Sequence, residues 1–134
     1  MEQTHESSYL RNLHERLVKS CERATSLAVD VNPDQLNWKP GDDQWSIAQC
    51  LEHVLLAADL YGEKIGPAIE RARGKRLHAS GDLQPRHTIM GRLILRAVEP
   101  TAKRTMSSPK SFAPSQSKIP DDVLDRYIRS HENL

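Results

Sequence analysis

Leu10, Leu13, Leu17, Cys21, Ala24 and Leu27 recur at steps of three and four residues, the spacing that gathers side chains on one face of a helix. They predict a first helix over residues 6–27 with charged residues on the opposite face. Val31-Asn32-Pro33-Asp34 breaks the pattern, because proline restricts the residue before it and Asn and Asp favour turns. The break opens a connection running to Gln44, in which Leu36, Trp38 and the Pro40-Gly41 pair predict an ordered segment packing its apolar groups on the helices.

A second stripe follows at Ile47, Leu51, Val54, Ala58, Tyr61, Ile65 and Ile69. Its start is well specified. Ser46 is a preferred N-cap, Gln49 three residues later is its reciprocal partner, and Trp45 precedes the cap as an apolar staple for Cys50. The helix is expected to reach Arg73 and to end at Gly74, with a kink or interruption at Gly66-Pro67, since a helix-interior proline loses a hydrogen bond and clashes with the preceding turn. Residues 73–85 read as a loop. A shorter helix over residues 88–98 carries Ile89, Leu93, Leu95 and Val98, and Glu99-Pro100 ends it. Residues 101–120 are rich in Ser, Pro and Lys and predict a long exposed connection. A last helix starts near Asp121, with Val123, Leu124, Tyr127 and Ile128 on its inner side.

Composition agrees with an all-α protein. Aromatic residues make up 4% of the 134 positions, so the core is mostly aliphatic, and the length fits a single domain spanning residues 1–134. No apolar run approaches the length of a membrane span and no secretory leader is readable, which makes the cytoplasm the expected compartment. Cys21 and Cys50 both fall on apolar stripes and read as reduced, buried small hydrophobes.

The net charge of +1 hides a segregation. Residues 64–118 hold 12 Lys/Arg against 3 Asp/Glu, while residues 1–63 hold 5 against 11. The basic block attracts a small anionic ligand or pairs with the acidic first part of the chain. It lacks interleaved aromatic residues and a recognition-helix motif, so a nucleic-acid partner is not expected.

Candidate chemistry centres on His53. On a helical wheel it lies beside the main stripe, on a flank shared with Cys50, Ala57 and Leu60, so it should line a groove between helices. Taken alone, it reads as a half-buried histidine satisfied by a hydrogen bond. Glu52 points about 100° away and forms no dyad with it. Asp59 and Glu63 read as solvated surface charges, and there is no Gly-rich phosphate loop or G-x-S-x-G elbow.

The string Trp45-Ser46-Ile47 followed by Leu51-Glu52-His53 on one helix resembles the DinB-like superfamily of metal-binding helical proteins. The resemblance is strongest over residues 36–65 and weaker through Gly91-Arg92-Leu93-Ile94 and Glu99-Pro100. It implies a down-up-up-down four-helix bundle and matches His53 to the second-helix ligand of a divalent metal, zinc or nickel. Two further histidines of the family, spaced H-x-x-x-H on the last helix, would complete the site.

No H-x-x-x-H occurs in this chain. The bundle is therefore expected to be incomplete at its C-terminus, with His5, His14, His78, His87 and His131 weak substitutes and little or no metal bound by one chain alone. The resemblance implies a metal-dependent transferase or hydrolase acting on a small molecule or thiol cofactor. The competing expectation is a non-catalytic helical binding or assembly module that has lost the metal site. Two long amphipathic helices, a short one and a stub leave an apolar flank, which predicts self-association into a homo-oligomer.

Overall fold

A computed structural model describes residues 7–77, 85–99, 101 and 107–132. Among these residues five α-helices follow in order, α1 Ser8–Ala28, α2 Pro33–Asn37, α3 Ile47–Gly74, α4 Ile89–Val98 and α5 Val123–Glu132, with a 3-10 turn at Lys110–Phe112 before α5. No strand occurs among the described residues, so the expected all-α class holds. His5 and His78 lie outside the described residues.

The core sits where α3 meets α5, α1 meets α5 and α2 meets α3. Ala28 of α1, Leu36 of α2, Ala48, Leu51 and Leu55 of α3, and Val123 and Tyr127 of α5 are buried together with Ile119, which precedes α5. Cys21, Ala24, Val31 and Leu124 pack against this cluster. The predicted inner face of α5 is therefore correct. The predicted face of α1 holds at Leu17, Cys21 and Ala24, which are half-buried, and fails at Leu10, Leu13 and Leu27, which are exposed.

The stripe on α3 is corrected in a similar way. Its buried residues are Ala48, Gln49, Leu51 and Leu55, all in the first three turns, whereas Ile47, Val54, Tyr61, Ile65 and Ile69 are exposed. Tyr61 meets the ring of Phe112, and every residue from 62 to 71 is exposed, so the apolar positions of the distal half stay largely uncovered.

Pro67 lies inside α3 without interrupting it. The amide it lacks would have bonded to the carbonyl of Glu63, and every residue from 61 to 71 is exposed, so water satisfies that carbonyl and the helix continues. Gly74 is still helical. The left-handed residue is Arg76 (φ 50°), and the amides of Arg76 and Leu77 bond to the carbonyls of Arg73 and Ala72 in the pairing of a Schellman stop.

The stretch from Asn32 is a helix start as well as a break. Asn32 accepts from the Gln35 amide at 2.9 Å and Gln35 returns to the Asn32 amide at 3.0 Å, with Pro33 at the first helical position, where its missing amide costs nothing. Leu36 is buried as expected, but Trp38 is exposed. α4 occupies its predicted range, capped by Thr88 on the Gly91 amide at 3.1 Å, and it buries none of its residues.

Candidate functional site

The amino end of α3 is fixed by local chemistry. Ser46 accepts from the Gln49 amide and Gln49 Oε1 accepts from the Ser46 amide, both at 3.1 Å, which is the expected capping box. Both residues are almost fully buried. A buried glutamine needs partners for its NH2 group as well, and Gln49 Nε2 donates to the carbonyl of Ser115 at 2.7 Å.

Gln49, Glu52 and His53 are spaced i, i+3, i+4 and so share one helix face. All three engage the backbone of the same distant segment. Glu52 Oε2 accepts from the Ser115 amide at 2.6 Å, and His53 Nδ1 donates to the Phe112 carbonyl at 2.7 Å. Ile119 is held by a further pair of bonds with Asn37, and Lys118 reaches Asp34 at 3.3 Å. Residues 107–119 thus form a strap along the first turns of α3. The expectation of an exposed connection over residues 101–120 holds at most of its described positions and is corrected at Pro114 and Ile119, which are buried.

His53 is half-buried, and its cover is the strap, where the helical wheel predicted a neighbouring helix. The imidazole lies against Trp45 (ring centroids 4.9 Å apart) and edge-on to Phe112 (6.4 Å), with Phe112 also stacked on Tyr61 at 6.0 Å. Ser108 Oγ is 3.5 Å from the same ring nitrogen that serves Phe112. A bond from Nδ1–H to a carbonyl selects the tautomer whose Nε2 carries a lone pair. Nε2 has no hydrogen-bond partner among the described residues.

The predicted flank is reproduced only in part. Ala57 and Leu60 are half-buried, whereas Cys50 is exposed, which corrects its reading as a buried hydrophobe. Enough protein surrounds its sulfur for desolvation to push the thiol pKa upward. Cys21 is half-buried, and both cysteines are free.

The remaining described histidines do not join His53. His131 donates Nδ1–H to the Tyr127 carbonyl one turn back at 2.9 Å and lines a groove of about 660 Å³ between α1 and α5 together with His14. His87 is exposed ahead of α4. Among the described residues no group of three or more His, Cys, Asp or Glu side chains is placed to hold a metal ion. A second, polar crevice of about 310 Å³ lies between α2, the α3 cap and the strap, with Lys39 and Lys118 on its wall.

Sequence reasoning singled out His53 and missed the roles of Gln49, Glu52 and Asn37 as anchors of the strap. Their polar side chains at the buried end of an amphipathic helix were the available signal, since buried polar groups require partners. No described helix is long and apolar enough to cross a membrane. A family model described as the DinB superfamily matches residues 16–134. No curated protein and no solved structure matches the chain.

Proposed function

The chain belongs to the DinB superfamily, and from that membership we propose that it is a single-domain cytoplasmic helical-bundle protein whose functional position is His53. The reading is a divalent-metal-dependent transferase or hydrolase of a small molecule or thiol cofactor, with His53 Nε2 as one ligand to zinc or nickel. The observation that carries it is the bond from His53 Nδ1–H to Phe112 at 2.7 Å. Metal-binding histidines are typically oriented by such a bond from the second ring nitrogen, which leaves the first as a directed lone pair.

One nitrogen is not a site. A catalytic centre of this type needs about three protein ligands, and the described residues of one chain do not supply that set. They fit the group at one position only, so no reaction step follows from them. The remaining donors would come from outside the described residues or from a second copy, in keeping with a homo-oligomeric state. The polar crevice carries Lys39 beside a Lys118 already paired with Asp34, and Lys39 offers its positive charge to a small anionic ligand.

A second reading is favoured by the clasp itself. Gln49, Glu52 and His53 all spend polar atoms on strap backbone, which is what a helical binding or assembly module needs to hold its shape without chemistry. Metal content after chelator-free purification separates the two. Near-stoichiometric zinc or nickel that is lost in His53→Ala supports the first reading, and metal retained in that variant overturns His53 as a ligand.

A further inference from the structure

α4 is amphipathic and buries none of its residues. Its six large apolar side chains, Ile89, Met90, Leu93, Ile94, Leu95 and Val98, are all exposed, from 45% at Leu95 to 87% at Ile89. At 100° per residue, Arg92 and Arg96 fall together on the one remaining polar arc. Neither has an ion-pair partner among the described residues. Such a helix exposed in water is an uncovered interface.

The α1–α5 groove has the complementary form. Its floor is Leu17, Val18, Cys21 and Ile128, and Glu22, also without a partner among the described residues, stands at its edge. On α1 it runs from His14 to Ser26, about 18 Å at 1.5 Å per residue, and the ten residues of α4 span about 15 Å. An apolar trough of that length with an acidic edge suits an apolar helix that carries two arginines on one side.

Both surfaces belong to one chain. α4 buries none of its residues and makes no extended contact with α1 or α5 of its own chain among the described residues, while the groove presents Leu17, Val18 and Ile128. Complementary faces carried by one chain pair between two copies.

We infer that the α1–α5 groove receives α4 of a second copy of the chain, with the α4 apolar face on Leu17, Val18 and Ile128 and its arginines toward Glu22. The exchange is reciprocal, so each copy fills the other's groove and the assembly closes as a dimer. The inference rests on the self-association reading given above and adds its contact surface.

The test uses the full chain in a Cys50→Ser background, where Cys21 in the groove is the one native thiol. Adding Leu93→Cys should produce a disulfide-linked dimer on mild oxidation, and adding Cys21→Ala should lower its yield at least tenfold. The double reversal Arg92→Glu/Arg96→Glu changes only exposed side chains, so it leaves the far-UV circular dichroism intact. It should weaken the dimer at least tenfold in sedimentation velocity, and Glu22→Arg should restore it in part.

A monomer at all micromolar concentrations overturns both self-association and this inference. An oligomer whose cross-link ignores Cys21 overturns the groove alone and leaves self-association standing. A Cys21-dependent cross-link formed within one chain overturns the second copy as occupant. An oligomer indifferent to the arginine reversal, with loss of binding to phosphatidylserine vesicles instead, assigns α4 to a membrane surface and also overturns it.

Discussion

The side-chain amide of Asn37 pairs with both backbone groups of Ile119, donating to its carbonyl at 3.1 Å and accepting from its amide at 2.8 Å. The amide thereby imitates one rung of a β-ladder across 82 residues of sequence. It lets the strap enter the core at Ile119, which is fully buried, without leaving its backbone unpaired. Asn37→Ala strands both groups in a partly buried setting and should cost about 1–3 kcal/mol. Asn37→Asp keeps the acceptor and loses one donor, so its denaturant midpoint should fall between those of the alanine variant and the wild type. Equal midpoints for all three proteins would remove this pair from the account of the strap.

The amino end of α3 offers a local counterpart. Replacing Ser46 by Ala removes the acceptor for the Gln49 amide and should cost about 0.5–2 kcal/mol with the fold retained. Gln49→Ala should cost more than Ser46→Ala, because it removes its half of the capping box and also leaves the Ser115 carbonyl without its 2.7 Å donor. Urea unfolding of the two single variants gives the order directly. A smaller effect at Gln49 would mean that the strap finds another partner.

These two sites mark what could be read from the sequence. The Ser46–Gln49 box was legible because both partners fall within one turn. The same signature at Asn32 and Gln35 was read as a turn, since Pro33 was weighed as a helix breaker when at the first helical position it is a helix starter. The strap was not legible. Its anchors join side chains of α2 and α3 to backbone 59 to 82 residues away, and backbone groups carry no residue-specific signal. Periodicity located the helices but overstated their burial. Trp38, Tyr61, Ile65 and Ile69 sit at apolar positions, yet burial depends on what lies opposite, which a single-helix pattern does not contain. His53 shares its half-buried flank with Ala57 and Leu60 but not with Cys50, and the identity of its neighbours, Phe112 and Trp45, needed the fold.

Cys50 links burial to pH. Desolvation raises its thiol pKa above the ordinary value, so the folded state favours the protonated form. The associated stabilisation is present below the unfolded-state pKa and is lost as pH rises through the higher folded value. In a Cys21→Ala background, native alkylation by iodoacetamide should therefore be slower than in urea at mildly alkaline pH and should approach the denatured rate only at higher pH. The residue is exposed as a whole, so the reagent reaches it, and the pH at which the native rate rises reports the shifted ionisation. A native rate above the denatured one at neutral pH would contradict the upward shift.

The carboxyl end of α3 carries the last prediction. Arg76 adopts φ 50°, a left-handed conformation in which a Cβ crowds the following carbonyl at a cost of about 1–2 kcal/mol for an L-residue. It is held there by the Arg76 and Leu77 amide bonds that close the helix at 2.9 and 3.0 Å. Glycine takes that conformation without the clash, although it also loosens the unfolded chain. Arg76→Gly should therefore stabilise by about 0.5–1 kcal/mol. Gly74 is the mirror case: it is helical, and a Cβ added there meets nothing within 4 Å. Gly74→Ala should stabilise by a similar amount, about 0.5–1 kcal/mol. Gly74→Ala adds helix propensity and Arg76→Gly relieves a strained stop, so the two together should raise the melting temperature roughly additively. Loss of stability in Arg76→Gly, with a gain in Gly74→Ala, would show that the helix runs past Arg76 in solution.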